Sequence, residues 1–498
     1  MVSFIETIDM PAKIFLRIVT IFALLFLIPD LVFSQISLDS VHSIIKKEVA
    51  HKRSKSIIVG IVDANGRHIV SAGVLSDKDR RLPDGNTEYE IGSVTKVITS
   101  LVLADMSLKK KLNLSDPLLK FLPQYVKPLD KNVRDITLLN LATHTAGFPR
   151  FPDNNDPKDL ENPYADYTVG QLYEYLSRFQ PNRLPGTQFQ YSNTGYSLLG
   201  QVLINVSGKD YESLVKEQVF LPLKMNSTVV TLTPALKSNM AVGHNEYGAA
   251  VSGWDMPALA SNGALRSNVN DMLTFVSANL GLMKSDLYPA MELSHQKRAR
   301  KGNDNAYITL GWTLFDHDGK EILLKDGATA GYSSLIAIDK KKNRGIVVLA
   351  NSQNEIKNIA YHILDSTFAL KPYTYKWALS DTINTVAKRK GVDAAIALYR
   401  QLKTSNRSGF VFDEASLIYA GHELRKANRL GDAIKLYKFN LTVYPNSTQT
   451  YESLADLYKR TGNVKLAVAT YEQLLKIDPK DAPGVWMLNQ LKSKSAIR

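Results

Sequence analysis

The spacing of apolar residues changes several times along this chain, and each change marks a different element. Near the N-terminus an almost unbroken apolar run, Ile18 to Ile28, follows Lys13 and Arg17 and leads through Pro29 to Val32-Phe33-Ser34-Gln35. A basic start, a short apolar stretch and a small-residue site make the layout of a secretory leader, so residues 1–34 are expected to be a signal peptide, or an N-terminal anchor if uncleaved. Leu38, Val41, Ile44, Ile45 and Val49 then recur at helical spacing and predict an amphipathic helix over residues 37–52. Ile57 to Val62 and His68 to Gly73 are β-rich runs joined through Asn65-Gly66, a pair that tolerates the positive φ of a tight hairpin.

Far downstream, Gly311 to Leu314, Glu321 to Lys325, Ser333 to Ile338 and Gly345 to Ala350 form a second strand series, with Asp318-Gly319 marking a turn. Strands at both ends with helical and proline-rich material between them imply one sheet split by an insertion. A helix ending near Leu370 should close that sheet, giving a first domain over residues 37–370. Beyond Lys371-Pro372 the pattern repeats. Gly421, Ala433, Tyr437 and Pro445 answer to Ala455, Ala467, Tyr471 and Pro479, each 34 residues on, which is the tetratricopeptide period. A third, looser unit pairs Ala395-Ile396-Ala397-Leu398-Tyr399 with Ala433-Ile434-Lys435-Leu436-Tyr437. Residues 376–490 are therefore expected to be an all-α array of tetratricopeptide-like hairpins that binds a protein or peptide partner or packs on the first domain.

Composition narrows the chemistry. Hydrophobic residues at 44% and charged residues at 22% are globular values. With no cysteine in 498 residues, disulfides, thiolate metal sites, a cysteine nucleophile and a lipidated cysteine are excluded. The net charge of +13 comes from scattered lysines without a basic, aromatic-interleaved face, so a nucleic-acid partner is not expected. The histidines show no zinc-ligand spacing and no glycine loop cradles phosphate, so no metal or other cofactor is expected.

One constellation carries chemistry. Ser93-Val94-Thr95-Lys96 opens a helix whose buried face is Val94, Val97, Ile98, Leu101 and Val102. Three residues apart, Ser93 and Lys96 share a helical face, and an unprotonated Lys96 could take the hydroxyl proton. Alone such a pair is common. Here it is followed, in order, by Tyr191-Ser192-Asn193 and by Lys325-Asp326-Gly327-Ala328 on a predicted strand. This ordered set resembles the three motifs of the serine β-lactamase and penicillin-binding superfamily, with the Tyr-x-Asn second motif of its class C and esterase-like branch. The segments Leu138 to Phe148, Ser261 to Met272, Gly311-Trp312, Gly331 to Ser334 and Val347 to Asn351 also resemble that family, extending the likeness over about residues 40–368.

The resemblance implies an α/β (α+β) fold, an antiparallel sheet flanked by helices with a helical insertion. It makes Ser93 the nucleophile, with Lys96 and Tyr191 sharing proton transfer and Lys325 converging on Tyr191. Asn193 would contact the substrate's acyl side and orient Lys96. The backbone amides of Ser93 and Ala328 would form the oxyanion hole, and Gly327 would let substrate approach the strand edge. His144, in the Thr-His-Thr segment, is expected to be structural. One position departs from the family, whose third motif usually has a hydroxyl residue where this chain has Asp326. A carboxylate there would repel a substrate carboxylate by about 4 kcal/mol at contact, unless Asp326 pairs with Lys325 or points away. The expected activity is exported acyl transfer to water on an ester, β-lactam or small D-amino peptide, in the periplasm or secreted. The alternative is a penicillin-recognising or scaffold protein without turnover, working through its repeats.

Overall fold

The computed structural model describes residues 36–181, 183–246, 248–302, 305–317, 319–370, 379–405, 410 and 412–496. The expected leader and Asp318 lie outside the described residues. Helix α1 (Leu38–Ala50) opens the structure, with the Ser37 hydroxyl accepting from the Ser40 amide at its N-terminus and Val41 and Ile45 buried on one face. It feeds the hairpin β1 (Ser56–Asp63) and β2 (Gly66–Gly73). Because Asp63 pairs with Gly66, the two turn residues are Ala64 and Asn65, one position earlier than Asn65-Gly66. The Asp63 carboxylate accepts from the Asn65 amide, and Gly66 supplies the positive φ, 120°, as the first residue of β2.

Between that hairpin and the later strands lie β3 (Tyr89–Glu90), helix α2 (Thr95–Leu108), helix α3 (Asn193–Ser207), β4 (Arg266–Ser267), which pairs with β3, and helix α4 (Val269–Asn279). Strands β5 (Ala299–Arg300), β6 (Ala306–Ile308), β7 (Thr313–His317), β8 (Lys320–Ala328), β9 (Ser333–Asp339) and β10 (Arg344–Ala350) follow. The sheet order is β2-β1-β10-β9-β8-β7-β6-β5, antiparallel throughout. The N-terminal hairpin thus closes on the last strand, Val59 facing Val348, and everything between them is an insertion. This is the split sheet that the strand pattern implies.

Period-2 alternation gives the inner strands β1, β9 and β10 two buried faces. Val59, Ile61, Ile322, Leu324, Leu335 and Val348 meet α1 and helix α5 (Lys357–Leu364), with Ile359 and Ile363 against them. Ile58, Leu323, Ile336, Val347 and Leu349 belong to the core on the other face, which α2, α3 and α4 share. Helix α5 stops at Leu364, six residues short of the expected end near Leu370. There the Asp365 carboxylate accepts from the Thr367 amide and hydroxyl, making a turn that competes with another helical turn.

Seven helices follow: α6 (Leu379–Lys390), α7 (Val392–Thr404), α8 (Glu414–Lys426), α9 (Leu430–Val443), α10 (Thr448–Arg460), α11 (Val464–Ile477) and α12 (Ala482–Ala496). They share a separate apolar core that includes Ala395, Tyr399, Ala433, Tyr437, Ala455, Ala467 and Tyr471. The small residues of the 34-residue repeat have a visible purpose. A Cβ at Gly421 of α8 would lie 2.2 Å from the Tyr437 ring of α9, so only glycine lets these helices approach so closely. Among the described residues no helix is long and apolar enough to cross a membrane.

Candidate active site

The Ser93 backbone sits in a tight 3-10 turn, Gly92–Val94, that runs into α2. Ser93 is therefore poised just before the α-helix proper, and Lys96 lies in its first turn. The next three chain segments converge on this point. The Lys96 side chain is fully buried, and its Nζ lies 3.1 Å from Ser93 Oγ, 2.7 Å from Asn193 Oδ1 and 2.6 Å from the carbonyl oxygen of Asn262. The Tyr191 hydroxyl donates to Ser93 Oγ at 2.7 Å. Lys325 projects from β8 with its Nζ 4.9 Å from the Tyr191 ring centroid, while Lys96 Nζ is 5.1 Å from the same ring. The five residues named from the motifs are thus in one cluster around one hydroxyl.

Local structure explains why Tyr191 and Asn193 arrive there. The Ser192 hydroxyl caps α3 by accepting from the Gly195 amide at 2.8 Å and itself donates to the Pro149 carbonyl. The amides of Asn193 and Thr194 donate to the Arg150 carbonyl at 2.9 and 3.2 Å. A helix N-terminus leaves such donors unpaired within the helix, and here a loop satisfies them. His144, at φ 58°, packs 4.5 Å from the Tyr191 ring, and its Nδ1 accepts from the Ser192 amide at 3.1 Å. Burial foremost, with Lys325 and Lys96 nearby, holds its pKa well below 6.5. A neutral, acceptor imidazole that fixes the second motif fits the structural role expected of it.

Close backbone approach shapes the other wall. A Cβ at Gly327 would lie 2.1 Å from the Ile91 carbonyl oxygen and 2.9 Å from the Ser93 amide nitrogen. A Cβ at Gly92, at φ 47°, would lie 2.9 Å from the Ala328 nitrogen. The end of β8 and the Ser93 turn therefore touch through two glycines.

Charge is the site's other feature. Burial lowers the pKa of Lys96 to about 8 from the usual 10.5; Tyr191 opposes that shift, and Lys325 and Arg150 add to it. Burial likewise lowers Lys325 to about 8, with Asp326 opposing and Lys357 adding. The folded protein gives up these protons before the unfolded chain does. Stability should rise with pH from about 8 to 10.5, and the whole penalty stands below about 8. Lys325→Met is accordingly expected to stabilise the fold by about 3 kcal/mol near neutral pH. Thermal unfolding across pH should show that gain shrinking above about 8.

Asp326 alternates with Lys325 and faces the opposite side of the strand, toward α5, where Lys357 Nζ pairs with its carboxylate at 3.1 Å. Burial raises its pKa, but the charges of Lys325 and Lys357 outweigh this and leave it below the usual carboxylate range. Three participants lie outside the motifs. Asn262 acts through its backbone carbonyl, which no side-chain pattern reveals. Lys357 comes from a helix whose sequence pattern shows only that it closes the sheet. Arg150, its guanidinium 5.9 Å from the Tyr191 ring, stands in the proline-rich loop Phe148 to Pro152, whose composition marks a site but not which residue enters it.

Comparison with known proteins places the fold in a family. The beta-lactamase family model matches residues 41–365, and a tetratricopeptide repeat model matches residues 448–481. A beta-lactamase of Escherichia coli (strain K12) is 27% identical over 347 residues, covering 63% of this chain and 88% of that protein. The D-alanyl-D-alanine-carboxypeptidase/endopeptidase AmpH of the same organism is 30% identical over 322 residues, covering 61% and 82%. Among solved structures, a class C beta-lactamase mutant superposes with a TM-score of 0.59 at 22% identity, covering 66% of this chain and 96% of that one. The beta-lactamase/D-alanine carboxypeptidase of Pseudomonas syringae also gives 0.59, at 23% identity, covering 66% and 98%. With a sheet body of this fold and a family match spanning most of it, the chain belongs to the beta-lactamase family and carries a tetratricopeptide repeat toward its C-terminal end.

Proposed function

We propose that this protein is an exported serine hydrolase that turns over an ester, β-lactam or small D-amino peptide through an acyl-Ser93 intermediate. The observation that carries this reading is the pair of groups on one hydroxyl, Lys96 Nζ at 3.1 Å and Tyr191 OH at 2.7 Å from Ser93 Oγ. Loss of one proton from that pair leaves an acceptor facing the Ser93 hydroxyl. A lysine held near about 8 makes that loss accessible at working pH.

In the first half-reaction Ser93 Oγ attacks the substrate carbonyl while its proton passes to Lys96 or Tyr191. The carbonyl oxygen gains its negative charge beside the Ser93 and Ala328 amides, at the positive end of the α2 turn. The proton then goes to the leaving alcohol or amine, and an acyl-Ser93 ester remains. Water, deprotonated by the same groups, attacks that ester in the second half-reaction and returns Ser93. Asn193 holds Lys96 and offers its amide to the acyl side, Lys325 keeps positive charge beside Tyr191, and Gly327 leaves the strand edge open to substrate.

The complete set of Ser93, Lys96, Tyr191, Asn193 and Lys325 favours turnover over a purely binding role, since a site without chemistry has no use for two buried ammonium groups. The basic, apolar and small-residue layout of residues 1–34 supports export to the periplasm or beyond, or anchoring at a membrane. The repeats add the capacity for a protein or peptide partner.

Asp326 lies on the strand face turned away from Lys325, paired with Lys357 of α5, so the repulsion of a substrate carboxylate expected at that position does not reach the site. Asp326→Thr should therefore leave the relative kcat/KM for a penicillin, a peptide ending in free D-alanine and a neutral short-chain ester within about twofold of native. Steady-state rates on those three substrates test the placement. A gain confined to the two carboxylate substrates would contradict it, and no hydrolysis of any by the native protein would contradict the broader reading.

A further inference from the structure

The loop spanning residues 151–166 leaves the active-site rim directly after Arg150 and returns to it. At its inner end Phe151 stacks on Tyr164 with ring centroids 4.8 Å apart, and Tyr164 meets Trp254 edge-on at 5.2 Å. Asn162 and Asp255 exchange two hydrogen bonds of 2.8 Å, and the Tyr167 hydroxyl donates to the Asn154 side chain. These contacts hold the two ends of the loop to the sheet body.

The outer segment, Asp156-Pro157-Lys158-Asp159-Leu160-Glu161, is held from elsewhere. Lys459 Nζ pairs with Asp156 at 2.5 Å, and Lys426 Nζ pairs with Glu161 at 2.7 Å. The Arg460 guanidinium donates to two successive backbone carbonyls, Pro157 at 2.6 Å and Lys158 at 3.2 Å. Lys426 ends α8, and Lys459 and Arg460 end α10, the first helices of successive hairpins. Glu423 holds Lys426 at 2.9 Å, and one acid arranges the other basic groups. The Asp456 carboxylate accepts from Arg425 and Arg460, each at 2.8 Å, and lies 3.3 Å from Lys459 Nζ. A cavity of about 490 Å³ lies between the segment and the repeats, lined by His422, Ser453 and Leu457 on one side and Leu160 on the other.

Single exposed ion pairs contribute little. Two backbone carbonyls read by one arginine, flanked by two acid–base pairs and backed by a shared carboxylate, make instead a surface fitted to an extended acidic segment. We propose that this face of the repeats recognises the chain's own segment Asp156–Glu161 and, through the loop it belongs to, braces the aromatic wall and Arg150 at the rim of the active site. The inference rests on hydrolysis at Ser93 only for its effect on rates. The repeats then act on hydrolysis without touching substrate: they hold a wall that lies near the substrate's acyl group, so large acyl groups depend on them more than small ones.

The test uses the full chain and the variants Lys459→Glu, Asp156→Lys and the two combined. Amide hydrogen exchange over residues 151–166 should quicken by about tenfold in each single variant and return toward the native rate in the charge-reversed pair. With an activated ester, KM for a bulky acyl group should rise several-fold in the single variants while kcat for an acetyl ester stays within about twofold. Asp156→Lys leaves the repeats untouched, so its result does not depend on their folding. Unchanged exchange over residues 151–166 in both single variants, or no recovery in the pair, would overturn the proposal. Exchange is measured without substrate, so its outcome is independent of whether the protein hydrolyses esters at all.

Discussion

Ser93→Ala is expected to lower hydrolysis by about 10⁴-fold or more and to abolish any covalent adduct, while leaving the fold intact. The size follows from the position of the hydroxyl. Ser93 Oγ is the one atom met by both Lys96 and Tyr191, so its loss removes the bond-forming group and strands both proton carriers together. The Ser93 amide survives the change, so residual substrate binding at the end of β8 should persist and KM should move far less than kcat. Ser93 is only half-buried and its side chain supports no other element, so Tm should stay close to native. A folded variant that keeps more than about a hundredth of the native rate would assign the chemistry elsewhere.

Lys96→Met is expected to cost about 10³-fold in kcat/KM and to change the pH profile as well. In the native protein Lys96 must be neutral to accept a proton from Ser93, so the rate should climb from mildly acidic pH toward about 8. Lys325 loses its charge in the same range, which should turn the profile down on the alkaline side. The two groups share Tyr191, so the limbs belong to the pair rather than to either residue. In Lys96→Met the rising limb should vanish. The variant also leaves the Asn193 side-chain oxygen and the Asn262 carbonyl without the ammonium that joins them, so any stability gained by removing a buried charge should be smaller than for Lys325→Met. Initial rates with an activated ester at several pH values check both expectations.

Much of the fold is legible in the chain because long elements carry strong patterns. Val41 and Ile45 identify α1, the runs around Val59 and Val348 identify two central strands, and the 34-residue phase of Ala433 and Ala467 identifies paired helices. Strands β3 and β4, two residues each, are too short for alternation to show, and they exist because Tyr89 and Ser267 are brought together by the insertion around them. The end of α5 escapes the pattern for a related reason. Apolar periodicity continues through Phe368 and Leu370, but a carboxylate-capped turn at Asp365 costs less than another buried turn of helix.

The site divides the same way. Ser93, Lys96, Tyr191, Asn193 and Lys325 are readable because their spacing follows motifs, and each motif sits where one element begins or ends. Asp326 shows what spacing leaves out. Strand alternation turns it toward Lys357 of α5, and only the packing of that helix on the sheet decides its partner. Arg150 and the Asn262 carbonyl enter through loop geometry and backbone, which one-dimensional patterns do not encode.

Serine acyl transfer is tested most directly by identifying the residue that becomes acylated. The chain from residue 35 onward would be mixed with a penicillin or an activated short-chain ester, quenched early, digested and mapped by mass spectrometry beside Ser93→Ala. The expected result is an adduct confined to the peptide carrying Ser93, decaying as product forms and absent from the variant. An adduct on another residue, or one that persists unchanged in Ser93→Ala, would contradict Ser93 as the nucleophile.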